Sequence, residues 1–308
     1  MKMTAILIYS DQDNFALELA AAARSLNADQ LKAVTINNDA QAQVLADAGV
    51  DVLKINHDGI VLADVAVMAA VLAQAASKVN ADMIFLTSNR RGKELSGRLA
   101  QLTGAGCLTD VNQVTAEGGA VQCRRNALGG ATVAVQSINT DKKVIAFMPR
   151  SFETATGAGG NIEALEVNVP AATVKLTEVR AKSGDNVDIE AAEVLVAVGQ
   201  GLKDADQLPA VEKLAKTLGG EVACSKPVAT DKKWLSEERI IGLSGKKCKP
   251  KLAILLGISG QVQFTVGIRD AKTIVSINTD ENASMNTMAD YVLVADLHQA
   301  VEELNAKL

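Results

Sequence analysis

The residues best suited to chemistry lie in the last third of the chain. Leu252 to Leu256 is a short apolar run that reads as a buried strand, and Gly257-Ile258-Ser259-Gly260 follows it directly as a tight turn with free backbone N–H groups. Such a turn can hold an anion. A second β-rich run, Thr273 to Ile277, ends at Asn278-Thr279-Asp280, whose side chains can bond both their own loop and a ligand. The pattern recurs: Val194 to Val198 runs into Gly199-Gln200-Gly201, Val222 to Cys224 into Ser225-Lys226, Ile240-Ile241 into Gly242-Leu243-Ser244-Gly245, and Tyr291 to Val294 towards Asp296. A parallel sheet puts such strand ends along one edge. Adenine nucleotides and dinucleotides ask for this combination, because the diphosphate takes backbone N–H groups at glycine turns and the hydroxyls take acidic or amide side chains. Taken singly the motifs are weak. Gly199-x-Gly201 lacks the third glycine of the dinucleotide fingerprint, and there is no Gly-Lys-Ser/Thr phosphate loop.

Other chemistries find less support. Cys107, Cys123, Cys224 and Cys248 are widely spaced with no Cys-x-x-Cys, and only His57 and His298 could add imidazole, so no metal site is expected. Neither histidine has a serine or cysteine nucleophile pattern nearby, and no catalytic residue is assigned. The small cluster Lys246, Lys247 and Lys249 reads as a solvated loop, and Trp234 as a packing or interface residue.

The elements that must position these residues follow from composition and periodicity. The chain of 308 residues is 48% hydrophobic, enough for two domains with a core each. Its net charge of −5 is spread without a Lys/Arg block, which argues against a nucleic-acid or membrane surface and for small-molecule or protein partners. The apolar window from Ile60 to Val79 carries Asp64, Gln74 and Lys78, so it reads as a buried helix with no membrane insertion. The N-terminus runs straight into a strand without a signal-peptide cleavage site, and free thiols suit a cytoplasmic protein.

Strands at Thr4 to Tyr9, Leu31 to Ile36, Val52 to Ile55 and Met83 to Leu86 alternate with helices that include Ala40 to Ala48, Leu62 to Val79 and Arg91 to Leu102. That alternation predicts a parallel sheet covered on both faces. Four β-like runs follow: Leu108 to Thr115, Ala120 to Asn126, Thr132 to Ile138 and Lys143 to Met148. They are separated by Gly118-Gly119, Gly129-Gly130 and Asn139-Thr140-Asp141, which are hairpin signals. Val167 to Arg180 reads as an extended strand or arm, and the polar Lys182 to Asn186 as the linker. The expected fold class is α/β in two domains. Residues 1–184 form a mixed sheet, parallel with an antiparallel edge, and residues 185–308 a doubly wound parallel sheet that carries the principal site.

These residues resemble a family, the large (alpha) subunit of electron transfer flavoproteins. Gly257 to Gln263, Thr273 to Asp280 and Ala289 to Leu297 look like its C-terminal signature in order and spacing. Gly201-Leu-Lys203 resembles the turn that opens its FAD domain, and Arg91 to Ala100 and Ala127 to Gly130 are similar to features of its first domain. The resemblance implies that the second domain holds FAD and the first contacts a smaller beta subunit in a heterodimer. It also implies that electrons pass from flavin dehydrogenases, such as acyl-CoA dehydrogenases, to a quinone reductase or other acceptor. Carried over by motif, Ser259, Gln263 and Asn278 would bind the diphosphate, ribityl or adenosine part of FAD, within a set that includes Gly201, Gly257, Ile258, Gly260, Thr279 and Asp280. Asp296 and Leu297 would lie at the adenosine end, Ser225 near the cofactor, and Ser244 near its reactive part.

Five positions depart from the family pattern. Gln200 replaces the arginine of Gly-Arg-Gly-Leu, Lys226 that of Ser-Arg, Leu243-Ser244 the Gln-Thr of Gly-Gln-Thr-Gly, and Phe264 a histidine. A neutral glutamine gives less support to reduced, anionic flavin than a fixed guanidinium, and Lys226 compensates only as a point charge. Two other readings stay open: a divergent member that binds FAD or an adenine nucleotide for a structural or regulatory role, and a nucleotide-dependent enzyme on the same fold.

Overall fold

Runs of branched apolar residues between amphipathic helices fold here into two parallel-rich sheets. The computed structural model describes residues 4–117, 120–130, 132–178 and 187–308. The chain divides into two compact units, Met1–Val179 and Arg180–Leu308. Gly118-Gly119 and the Lys182 to Asn186 linker lie outside the described residues.

The first unit runs β1 (Ala5–Tyr9), α1 (Asp13–Ser25), β2 (Gln30–Ile36), α2 (Asp39–Asp47), β3 (Asp51–Ile55), α3 (Val65–Lys78), β4 (Met83–Thr87) and α4 (Arg90–Thr103). β5 (Gly106–Glu117), β6 (Ala120–Ala127), β7 (Thr132–Ser137), β8 (Lys143–Phe147) and β9 (Ile162–Ala164) follow. The helix expected from Leu62 starts at Val65, because the Asp64 side chain accepts from Val67 N–H and caps it there. The sheet order is β7-β6-β5-β8-β4-β1-β2-β3-β9. Among the described residues only the β5–β6 and β6–β7 pairs are antiparallel, so the parallel sheet with an antiparallel edge is found.

One hairpin expectation is corrected. Asn139-Thr140-Asp141 does not turn β7 back on β8; β8 lies parallel between β4 and β5. The reason is its composition. Val144 and Ala146 enter the core layer beneath α3 and α4, and Ile145 and Phe147 enter the layer on the opposite face, so β8 is apolar on both sides and belongs inside a sheet. β7 keeps mostly exposed side chains and stays at the edge. The strand or arm expected at Val167 to Arg180 contains no strand among its described residues. The ninth strand is instead Ile162–Ala164, paired with β3.

The second unit holds β10 (Val194–Val198), α5 (Leu208–Thr217), β11 (Glu221–Cys224), α6 (Lys226–Thr230), β12 (Leu252–Leu256), α7 (Val262–Thr265), β13 (Ile274–Asn278), β14 (Tyr291–Val294) and α8 (Leu297–Lys307). Its strands are all parallel in the order β11-β10-β12-β13-β14. One core layer packs Val196, Val198 and Leu256 against α5 and α8, and the other packs Leu195, Ala197 and Leu255 with Phe264 and Ile268. No described helix is long and apolar enough to cross a membrane.

Candidate functional site

In the second sheet the chain leaves β10 through α5 to β11 on one side, then returns to β12 on the other. The helices part above β10 and β12, and open α/β sheets take ligands in such a crevice, beyond the carboxyl ends of the strands. Gly199-Gln200-Gly201 and the Gly257 to Gly260 turn meet there: Gly199 N–H donates to Leu256 O at 2.9 Å and Gly201 N–H to Gly257 O at 3.0 Å. Side chains at this crossing would collide. Gly257 has φ +60°, and a Cβ on it would stand 2.7 Å from Gly201 Cα; Gly260 has φ +87°, with Met285 N 2.1 Å from its would-be Cβ. The result is a bare backbone cradle. Among the described residues the N–H groups of Gln200, Ile258, Ser259 and Gly260 have no protein partner. The Ser259 side chain is exposed, while Ile258 is buried in the core.

The rim on the β11 side is assembled by three segments. Ser225 N–H donates to Val198 O at 3.0 Å, which brings the end of β11 beside that of β10, and Lys226 then opens α6 with its side chain exposed. Ser225 Oγ is buried with no partner among the described residues. Ile241 N–H donates to Cys224 O at 2.9 Å, so the Gly242 to Gly245 turn follows the same edge. Leu243 N–H donates to Gln263 O at 2.7 Å, which ties that turn to α7. Leu243 is 64% exposed and Ser244 and Gln263 are exposed. Phe264 is only 6% exposed and belongs to the core with Ile241 and Ile258, so its side chain does not join the rim.

On the β13 side the polar side chains mostly serve their own loops. Asn278 Nδ2 donates to Ile258 O at 3.0 Å and its Oδ1 accepts from Asp280 N–H at 3.1 Å, which makes it the clamp that holds the glycine turn. Asp280 Oδ1 accepts from Asn282 N–H, and Thr279 is exposed beside it. Asp296 caps α8 by accepting from His298 and Gln299 N–H, whereas Leu297 is buried in the core beneath Gly257. One residue that the sequence reading missed is Asn286. It accepts from Ser276 Oγ and donates to the carbonyls of Asp280 and Glu281, pinning the loop after β13; its place in a polar run of turn formers was the available signal.

The two histidines make ordinary surface contacts: His57 Nδ1 accepts from Gly59 N–H, and His298 faces Glu302 one helical turn on. Burial pushes the Cys224 thiol up to about 12, with Arg239 pulling the other way, so this thiol stays protonated beside Ser225. Trp234 packs on the α5 side of the core under Lys232, whose Nζ is 4.1 Å from the ring centroid.

The crevice therefore offers unpaired N–H groups on two facing turns, a partnerless buried hydroxyl, exposed Ser and Gln side chains, and one lysine. That donor set fits a dinucleotide with a diphosphate at the glycine turns.

Comparison with known proteins agrees with this chemistry. Residues 188–269 match the model described as the electron transfer flavoprotein FAD-binding domain, and residues 7–172 match the electron transfer flavoprotein domain. Protein FixB of Escherichia coli O17:K52:H18 (strain UMN026 / ExPEC) is 31% identical over 309 residues, covering 98% of this chain and 97% of that protein. Protein FixB of Shigella flexneri and of Escherichia coli (strain K12) show the same identity and coverage.

Proposed function

The chain belongs to the electron transfer flavoprotein family as an FAD-binding alpha subunit, and on that premise we propose that it relays electrons from flavin dehydrogenases, such as acyl-CoA dehydrogenases, to a quinone reductase or another acceptor. The family implies a heterodimer with a beta subunit. In this reading residues 1–184 meet that smaller subunit, residues 185–308 hold FAD, and the complex works in the cytoplasm.

When bound, FAD supplies the electron chemistry. The chain's part is to bind and orient. The N–H groups of Ile258, Ser259 and Gly260, with that of Gln200 on the neighbouring turn, would take diphosphate oxygens. Ser225 Oγ, buried and without a partner among the described residues, would gain one from the ligand. Ser244 and Gln263 line the flavin side, and Thr279, Asp280 and Asp296 the adenosine side. Asn278 acts by fixing the Ile258 carbonyl and so the turn around it. Lys226 and Gln200 set the local charge, which is weaker than a guanidinium would give.

One observation carries the placement: unpaired backbone N–H groups at the point where the strand order reverses. The test is the visible absorption spectrum of the chain purified with a co-expressed small subunit from the same source, before and after dithionite. A flavin spectrum that bleaches, and fades when Asn278 and Ser259 are replaced, is the expected result. A colourless complex that added FAD cannot turn yellow would overturn the reading.

A further inference from the structure

The first unit has a crevice of its own. β1 leads through α1 to β2 on one side, and α3 later returns the chain to β4 on the other, so the strand order reverses between β1 and β4. Tyr9, Ser10, Asp11, Thr87, Asn89 and Arg91 line a shallow cleft at this point that opens to solvent. None of them belongs to the FAD site proposed above.

A row of hydroxyls runs beneath the cleft. Ile8 pairs with Ala33 and Tyr9 with Leu86, so Ser10, just beyond them, is level with Thr35 of β2 and Thr87 of β4. Thr35, Ser10 and Thr87 are 0%, 3% and 4% exposed. Ser10 Oγ accepts from Gln12 N–H at 3.3 Å, which leaves its own proton to give. Among the described residues Thr87 Oγ1 has no partner, nor has Thr35 Oγ1, and of these two only Thr87 lines the cleft. A buried hydroxyl without a partner is unfavourable, so a ligand oxygen beside Thr87 would be stabilising.

The start of α4 forms the opposite wall. Asn89 caps Gly92 N–H at 2.8 Å, and the N–H groups of Arg90 and Arg91 precede any helical partner. Gly92 permits this approach, since a Cβ there would stand 1.8 Å from Thr87 O. Arg91 pairs with Asp11, so the charged pair in the cleft is neutral as a unit. What is left to give in the cleft is a set of donors: the Ser10 and Thr87 hydroxyls and the Arg91 N–H. An acceptor-only ligand with several oxygens completes them.

We propose that this cleft binds a phosphate monoester group, presented as free phosphate or as a small phosphate ester. The inference does not rest on the FAD reading. Calorimetric titration of the full chain, purified with its small subunit, compares inorganic phosphate, ribose 5-phosphate and ribose. The expected result is saturable binding of a phosphate form, weakened about tenfold or more by Thr87→Val and untouched by Thr35→Val. Ribose should not bind. Tighter binding of ribose 5-phosphate than of phosphate identifies an ester as the ligand, and equal binding identifies the free anion. Both variants should melt no lower than the parent, because each removes an unpaired hydroxyl. Absence of binding at millimolar concentrations, binding that survives Thr87→Val, or ribose binding as well as its phosphate would each overturn the proposal and leave the hydroxyls to an ordered water.

Discussion

Asn278→Asp isolates the role of the clamp without changing its shape. The carboxamide bridges two loops, donating to Ile258 O at 3.0 Å and accepting from Asp280 N–H at 3.1 Å. Aspartate keeps the second bond, loses the first, and sets a carboxylate oxygen against a carbonyl in a partly buried place. Losing one bond removes about 1 kcal/mol, and the unsatisfied, repelled carbonyl adds ~1–2 kcal/mol, so the turn is loosened by roughly 2–3 kcal/mol. If the N–H groups of Ile258 to Gly260 grip the diphosphate, that loosening passes into the cofactor affinity and raises the FAD Kd by roughly 30- to 150-fold. The assay is titration of the deflavinated complex with FAD, followed by visible absorbance, alongside hydrogen exchange over residues 257–260. Faster exchange should accompany the weaker binding. Wild-type affinity with unchanged exchange would refute the clamp, and weaker binding without faster exchange would mean that Asn278 touches the cofactor directly.

Gln200→Arg places a cation beside the crevice and should move the midpoint potential of the bound flavin upward by tens of millivolts, about 1 kcal/mol of added support for the reduced, more negative cofactor, in a redox titration. Thr35→Val removes a fully buried hydroxyl that has no partner and should raise the urea midpoint of the first unit, by about 1 kcal/mol of stability. Asp64 is a third case. Burial alone would raise its pKa, but bonds from Thr173 Oγ1 and N–H, Val67 N–H and Val174 N–H outweigh it and hold the carboxyl at about 2. Its folded pKa lies below the ordinary 3.8, so its contribution is complete above that value and disappears as pH falls towards 2. Acid over that window should make the chain around Thr173 and Val174 sensitive to an acid-stable protease. Asp64→Ala should do so at neutral pH, at about 3 kcal/mol of stability.

The strand–helix alternation was readable because each element needs only local periodicity, and the glycine turn after β12 was readable because its residue types dictate a bare backbone. Lateral placement was not. Nothing in Lys143 to Met148 says which strands will flank it, although its apolar character on both faces, unlike the exposed β7, was a cue that it lay inside the sheet. The three-residue β9 is too short to show a period. Within the site, motif spacing could not separate Ser259 and Gln263, which face solvent, from Ile258, Phe264 and Leu297, which face the core. One residue of phase around a turn decides that, and packing sets the phase. The reach of Asn278 to Ile258 is likewise a contact across 20 positions that no local rule supplies.

The seat of β8 between β4 and β5 governs how the first unit is made. During synthesis β1 to β4 leave the ribosome first, then the β5–β6–β7 meander, and only afterwards the strand that joins these two blocks. Until residues 143–147 emerge, the edges of β4 and β5 have no lasting neighbour, and pairing between such edges is how nascent chains misassemble. A translational pause shortly before Lys143 would therefore lengthen the most hazardous interval in the life of this polypeptide, whereas one placed after β9 would find the whole nine-stranded layer already able to close.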